Sequence, residues 1–170
     1  MLANLKSELD ALKTPRLEVL FDPTKPPYVH DKALEGGGTL RIFRIGVLNR
    51  GATTDVRVRL KDFDPMEPTG SYLGHELAPT GQPGGTMKVA INRSATPNVF
   101  FDVVAQAFKP DMPSHSLNMR YAAEWLFGRA LHGLDSYQVT LAVDAEGAGE
   151  PVTFIVEKDE WGKRWEMRRA

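Results

Sequence analysis

The chain has 170 residues, of which 42% are hydrophobic and 25% are charged, a composition typical of one globular domain rather than of a disordered segment. Its net charge of -1 is spread evenly over both halves of the chain, which argues against binding to nucleic acid through a basic surface. The absence of cysteine excludes disulfide bridges, thiol catalysis and zinc held by thiolates.

Residues 1–14 are predicted to form an amphipathic helix ahead of the main domain, residues 15–170. Its apolar stripe, at spacings of three, four and three, consists of Leu2, Leu5, Leu9 and Leu12. Pro15 ends the helix because the residue before a proline avoids helical backbone angles. The spacing matches a heptad seam, although it lasts for fewer than two heptads. Two interpretations stay open: the stripe packs on the main domain, or it self-associates with the stripe of another copy.

From Arg16 onward apolar residues alternate with polar ones, the period of two that is typical of β-strands with one buried face. The clearest case is Val56, Val58 and Leu60, which alternate with basic residues. The pattern predicts seven or eight strands, over residues 17–21, 43–47, 56–60, 87–91, 99–105, 137–143, 152–156 and 164–168. Short polar turn sequences separate most of them. A mainly β fold is therefore predicted, with two facing antiparallel sheets in a sandwich.

Two features depart from this simple pattern. Over residues 116–132, apolar residues recur at steps of three and four, which predicts an inserted amphipathic helix that covers one end of the core. Residues 22–38 and 64–85 are rich in proline and glycine and are predicted as long loops without regular structure throughout. Long loops on a rigid sandwich are a usual place for binding residues.

The segment Ile45–Gly51, followed by the strand Val56–Leu60, resembles the corner between the second and third strands of bacterial immunoglobulin-like domains of the adhesion-related and fibronectin-III-like kind. Phe100–Val104 and Tyr137–Leu141 are similar to the fifth and sixth strands of those domains. The Asn-Arg-Gly of the corner suits a tight turn because asparagine and glycine tolerate its backbone angles. The resemblance implies an Ig-like sandwich from a bacterium or phage. It also implies a spacer, adhesive or assembly role without catalytic residues.

No motif in the sequence assigns catalytic chemistry. The four histidines, His30, His75, His115 and His132, are widely spaced, and neither a His-Glu-x-x-His nor a Gly-x-Ser-x-Gly motif is present. The glycine-rich segments lack the Gly-Lys-Ser/Thr ending of a phosphate-binding loop, and no complete calcium loop occurs. We predict no catalytic, cofactor-binding or metal-binding residue and no enzyme activity. A hydrolase or metal enzyme built on His30 and His75 is the remaining alternative.

A row of basic residues is predicted on one face of the third strand. Arg57, Arg59 and Lys61 alternate along it, and Arg41 and Arg44 are expected nearby. Such a row can bind an acidic partner, or it can simply keep an exposed sheet face soluble.

The sequence favours a non-catalytic protein–protein interaction or assembly module, for which self-association through the N-terminal helix is one open route. The residues expected to contact a protein partner are Tyr28, Tyr72, Trp125, Arg57 and Arg59. The alternative is a carbohydrate-binding sandwich that presents the aromatic side chains of Tyr28, Tyr72, Trp125 and Trp161. Because no apolar run of about 18 residues and no signal-peptide pattern occurs, the chain as written is expected to be soluble and cytoplasmic. A longer gene product with a membrane span upstream of the helix is a further alternative.

Overall fold

The structure is a computed structural model that describes residues 2–64, 74–82, 86–108, 117–121, 124–126, 135–145, 150–161 and 164–170. Within these ranges it contains one helix, α1 (Leu2–Lys13). The strands in the same ranges are β1 (Leu17–Leu20), β2 (Val29–Ala33), β3 (Thr39–Asn49), β4 (Thr54–Asp64), β5 (Val89–Ile91), β6 (Val99–Phe108), β7 (Leu117–Tyr121), β8 (Glu124–Leu126), β9 (Ser136–Asp144), β10 (Val152–Lys158) and β11 (Trp165–Arg169).

The strands form two sheets in which neighbours pair antiparallel. The first sheet has the order β1-β3-β6-β7-β8, and the second has the order β11-β10-β9-β4-β5. One edge of β3 holds two partners, because β2 pairs with residues 39–43 and β1 pairs with residues 46–49. The chain crosses from the first sheet to the second at residues 50–53, between β3 and β4. The predicted mainly β architecture of two antiparallel sheets is confirmed.

The hydrophobic core lies between the sheets and is built by alternate residues of their strands. Val56 and Val58 have no exposed surface and Leu60 has 2%, whereas the basic residues between them are exposed. Phe101 of β6 and Phe154 of β10 are buried in the same cluster. Burial of apolar surface stabilises a fold by about 25 cal/mol per Å², so this alternation fixes which face of each strand points inward.

The predicted inserted helix is wrong for residues 117–121 and 124–126, and the rest of its range, 116–132, lies outside the described residues. The described residues of this segment form β7 and β8, which pair antiparallel, and β7 extends the first sheet by pairing with β6. Val104 of β6 lies opposite Met119 of β7, a pairing between distant residues that local periodicity does not reveal. Without β7, this edge of β6 would present a row of unpaired N–H and C=O groups.

The other predicted elements are largely confirmed. The short N-terminal helix is α1, and the eight predicted strands correspond to β1, β3, β4, β5, β6, β9, β10 and β11. The segment 22–38, predicted as irregular, contains β2, which forms on the free edge of β3 although its sequence does not alternate. In the described part of the second predicted loop, Glu76 forms a bridge with Arg59 and Pro79 forms one with Phe101. Among the described residues, no helix is long and apolar enough to cross a membrane.

Candidate functional site

The first candidate site is the apolar stripe of α1, which faces solvent. Leu5, Leu9 and Leu12 are 52%, 55% and 42% exposed, and we call these three residues the leucine stripe. The other side chains described in α1 are exposed as well. The stripe therefore does not pack on the main domain, which was one of the two interpretations open from the sequence. Leu2 belongs to the same helix, but its side chain lies outside the described part of the chain.

Asn49 ties the base of α1 to the corner between β3 and β4. Its buried side-chain oxygen accepts hydrogen bonds from the backbone N–H groups of Arg16, at 3.2 Å, and Gly51, at 2.9 Å. Its Nδ2 donates to the backbone carbonyls of Ala52, at 2.6 Å, and Ile91, at 3.0 Å. A single amide thus joins the segment that follows α1, the corner and β5.

Two backbone hydrogen bonds complete this anchor. The N–H of Ala52 donates to the carbonyl of Thr14 at 3.1 Å, and that of Arg50 donates to the carbonyl of Arg16 at 2.9 Å. A shallow depression beside the anchor is lined by Arg16 and by residues outside the stripe, namely Ala3, Lys6, Ser7, Asp10 and Thr14. The segment that directly follows α1 is therefore held to the corner between the sheets, and the leucine stripe takes no part in lining this depression.

The basic row of β4 is compensated by acidic side chains. Arg57 Nη1 lies 3.1 Å from Glu76 Oε1, and Arg59 donates through Nε to a carboxylate oxygen of Asp144 on the neighbouring strand. This hydrogen bond raises the pKa of Arg59. Lys61 is exposed as well, at the point where the pairing of β4 with β9 shifts register. An acidic partner would have to compete with these two carboxylates for Arg57 and Arg59.

Arg41 and Arg44 do not lie beside that row, because both belong to β3 in the other sheet. The Nε of Arg44 donates to Asp102 at 2.7 Å, and the hydroxyl of Thr80 donates to the same carboxylate oxygen at 2.9 Å. Both partners of the Arg44 ion pair are mostly buried. The expectation that these arginines extend the β4 row is therefore wrong.

Arg41 instead forms a bidentate ion pair at the first sheet. Its Nε and Nη2 each donate to one carboxylate oxygen of Asp31 on β2, both at 2.9 Å. This hydrogen bonding lowers the pKa of Asp31. The guanidinium carbon of Arg41 also lies 5.9 Å from the ring centroid of Phe108, within the range of a cation–π contact. The ion pair joins β2 to β3 and is therefore a structural contact within the first sheet.

The aromatic residues proposed for partner or sugar binding differ in their surroundings. Tyr28 is buried, with edge-on ring contacts to Phe21 and Phe100, so it offers little surface to a partner. Tyr72 lies outside the described residues, and Trp125 belongs to β8 with its side chain outside the described part. Trp161 is 75% exposed in the turn between β10 and β11.

The turn around Trp161 forms the second candidate site. The N–H of Asp159 donates to the carbonyl of Arg164 at 2.7 Å, and the N–H of Arg164 donates to the Asp159 carboxylate at 3.2 Å. These bonds close the turn. We call the surface recess here the Trp161 depression, lined by Asp159, Glu160, Trp161, Arg164 and Glu166. It combines one exposed ring with carboxylates and a guanidinium.

The candidate metal residues are not assembled in the described part of the chain. His30 belongs to β2, His75 lies between β4 and β5, and His115 and His132 are outside the described residues. Within the described ranges, no group of three or more histidine, aspartate or glutamate side chains is arranged to hold a metal ion.

Two features of the structure were not predicted from the sequence. The buried Arg44–Asp102–Thr80 contacts join residues far apart in the chain, and no local spacing indicates them. The Asn49 anchor was foreseen only as a tight corner, although an asparagine in an otherwise apolar strand end was a usable sign of buried hydrogen bonding.

The comparisons with known proteins give no relative: no family model, no curated protein and no solved structure matches the chain.

Proposed function

We propose that the protein is a non-catalytic interaction module on an Ig-like sandwich, and that it assembles with copies of itself through α1. The observation that carries this proposal is the exposure of the leucine stripe. An isolated helix of 12 residues is marginally stable in water, and α1 gains little from the main domain because its described side chains are exposed. Pairing with another copy would supply the missing burial.

The strand order supports the Ig-like part of the proposal. In such domains the second strand pairs with the fifth in one sheet, while the third, sixth and seventh share the other. Here β3 pairs with β6, whereas β4, β9 and β10 are neighbours in the second sheet. The strands β2, β5, β7, β8 and β11 are additions to that pattern. Spacer and assembly roles are common for this architecture, although the fold alone does not fix a function.

The size of the stripe sets the strength of the assembly. Burying the remaining surface of each leucine contributes on the order of 1 kcal/mol, against a cost of association of several kcal/mol. We therefore expect weak, reversible self-association. Sedimentation velocity and light scattering should extend from ~10 µM to ~500 µM protein, where such affinities become measurable.

The test replaces two leucines of the stripe by glutamate, L5E/L9E. We expect the unchanged chain to show an oligomer that grows with concentration and the variant to remain monomeric. The matched control is N4E/S7E, which adds the same two charges to the same helix outside the stripe and should assemble normally. A strictly monomeric unchanged chain, or equal assembly of L5E/L9E and the unchanged chain, would contradict the proposal.

The Trp161 depression favours carbohydrate binding as a second candidate function. An exposed ring beside carboxylates and an arginine offers both a stacking surface and hydrogen-bonding groups for sugar hydroxyls. On a glycan array, we expect signals for the unchanged chain that are lost in Trp161→Ala and retained in Trp161→Phe. An array without any signal for the unchanged chain would remove this candidate.

A further inference from the structure

The order of residues in α1 assigns them to heptad positions. These positions indicate whether two paired copies of α1 would lie parallel or antiparallel. Taking Leu2 and Leu9 as positions a, and Leu5 and Leu12 as positions d, continues one seam along the helix. The flanking positions then contain Glu8 at g and Lys13 at the following e. Glu8 and Lys13 are both exposed at the edges of the leucine stripe. Lys13 Nζ also lies 3.5 Å from Asp10 Oδ1 in the same helix, an exposed ion pair of the kind that contributes little, so a partner's carboxylate can compete for this ammonium group.

A parallel pair of helices places each g residue beside the e residue of the next heptad on the partner. In two parallel copies of α1, Glu8 of each copy would lie beside the partner's Lys13. Two opposite-charge pairs therefore flank the seam. Lys6, the other residue at an e position, would lie beside the partner's Met1, which carries no side-chain charge.

An antiparallel pair gives the opposite electrostatic result. Reversing one helix sets Leu5 against the partner's Leu9 and brings equivalent flanking residues together about the two-fold axis. Glu8 would then lie near the partner's Glu8, and Lys6 near the partner's Lys6. Like charges at both edges disfavour this orientation.

We propose that α1 binds a second copy of itself in a parallel, in-register arrangement, with the leucine stripe as the contact and the Glu8–Lys13 pairs selecting the orientation. This inference rests on the proposed self-association and adds its geometry. The anchor at Asn49 fixes the base of α1 to the main domain, so a parallel pair places both main domains at the same end of the paired helices.

The test uses single cysteines, which have no background because the chain contains none. Leu5→Cys and Leu9→Cys are prepared separately, each with a different affinity tag, and then mixed and oxidised. A parallel pair brings identical positions together, so we expect L5C and L9C to form disulfides mainly with themselves. An antiparallel pair would instead give the mixed L5C–L9C disulfide.

Ser7→Cys is the matched control, because it lies on the same helix outside the leucine stripe. We expect L5C to cross-link at least ~10-fold faster than S7C, since pairing raises the effective concentration only for residues at the contact. Equal rates for S7C and L5C would overturn the proposed contact.

The outcomes separate the orientation from the assembly itself. Concentration-dependent association combined with the mixed disulfide would overturn the parallel arrangement and leave self-association standing. A monomer at every concentration, with no specific disulfide, would overturn both. Because a cysteine weakens the seam, assembly of Lys13→Glu is measured as well, with every leucine kept. We expect K13E to associate ~10-fold more weakly through two lost attractions and two new repulsions, and unchanged or tighter association would overturn the parallel arrangement.

Discussion

A side chain on Gly51 would collide with the carbonyl oxygen of Thr14, because a Cβ atom built on Gly51 lies 1.9 Å from that oxygen. The same Cβ would lie 2.9 Å from the backbone nitrogen of Arg16. The close approach allows Ala52 to donate to the Thr14 carbonyl. Glycine is therefore required at position 51, where the segment leaving α1 crosses the corner between the sheets, because the site has no room for a Cβ atom.

The first prediction concerns this close approach. We expect Gly51→Ala to lower the free energy of unfolding by about 2 kcal/mol, because the backbone must move and the Ala52–Thr14 hydrogen bond is weakened. Chemical denaturation measures the change. Gly36→Ala is the control: no atom lies within 4 Å of its Cβ, but its φ of +82° disfavours alanine, so we expect a loss of about 1 kcal/mol. An equal or smaller loss at Gly51 would contradict the steric explanation.

The second prediction concerns the buried amide of Asn49. We expect Asn49→Ala to cost about 2–4 kcal/mol of stability, because it leaves two N–H donors and two carbonyl acceptors without this partner, and the bonds with Gly51 and Ile91 are buried. Urea denaturation compares it with Asn92→Ala, which removes one exposed hydrogen bond to Thr53 and should cost less than about 0.5 kcal/mol. Similar losses for both variants would show that the Asn49 anchor is unimportant.

The third prediction concerns acid pH. Hydrogen bonds from the hydroxyl and backbone N–H of Thr24, followed by one from Lys25, lower the pKa of Asp22 from 3.8 to about 2. The folded pKa lies below the unfolded one, so the stabilising contribution is present above about pH 4 and is lost as the pH falls towards 2. Titration of the Asp22 carboxyl carbon by NMR measures this pKa.

The control for this titration removes the largest cause of the shift. We expect Thr24→Ala to raise the Asp22 pKa towards its ordinary value, whereas Thr53→Ala, remote from Asp22 in the chain, should leave it unchanged. An Asp22 midpoint near 4 in the unchanged chain would contradict the assigned hydrogen bonds.

The fourth prediction concerns the charges that flank the leucine stripe. We expect Glu8→Lys to weaken self-association ~10-fold, since it replaces two attractions with two repulsions in a parallel pair. The double variant E8K/K13E exchanges the charges and should recover the original affinity. Sedimentation equilibrium measures both.

Lys6→Glu provides the matched control for these charge changes. It reverses a charge at the same heptad position as Lys13, but its parallel neighbour is Met1, whose side chain is uncharged. We expect K6E to associate like the unchanged chain. If the double variant stays as weak as E8K, the Glu8–Lys13 pairing is incorrect.

The strands whose sequences alternate were predictable, and those formed by pairing alone were not. The alternation of Val56, Val58 and Leu60 with polar residues predicts β4, because a half-buried strand requires alternate apolar residues. By contrast, β2 has no alternation and exists because the edge of β3 is available. Likewise, β7 occupies a segment with helical periodicity, since the long-range pairing with β6 outweighs a local pattern.

The residues of the leucine stripe were predictable from the sequence, but their exposure to solvent was not. The spacing of Leu5, Leu9 and Leu12 indicates an apolar stripe, but a stripe that packs on its own domain has the same spacing. Only the placement of α1 relative to the sheets distinguishes the two. Similarly, nothing local to Tyr28 indicates its burial against Phe21 and Phe100, because those contacts depend on how separate segments meet.

Hydrogen exchange of the backbone amides in residues 2–13, measured over a range of protein concentrations, tests the role of α1 most directly. If copies pair through the leucine stripe, protection of these amides rises with concentration in the unchanged chain and stays low in L5E/L9E, while the amides of β4 remain protected in both. Fast exchange of residues 2–13 that does not depend on concentration would show that α1 is an unpartnered helix, and the proposed assembly would fail.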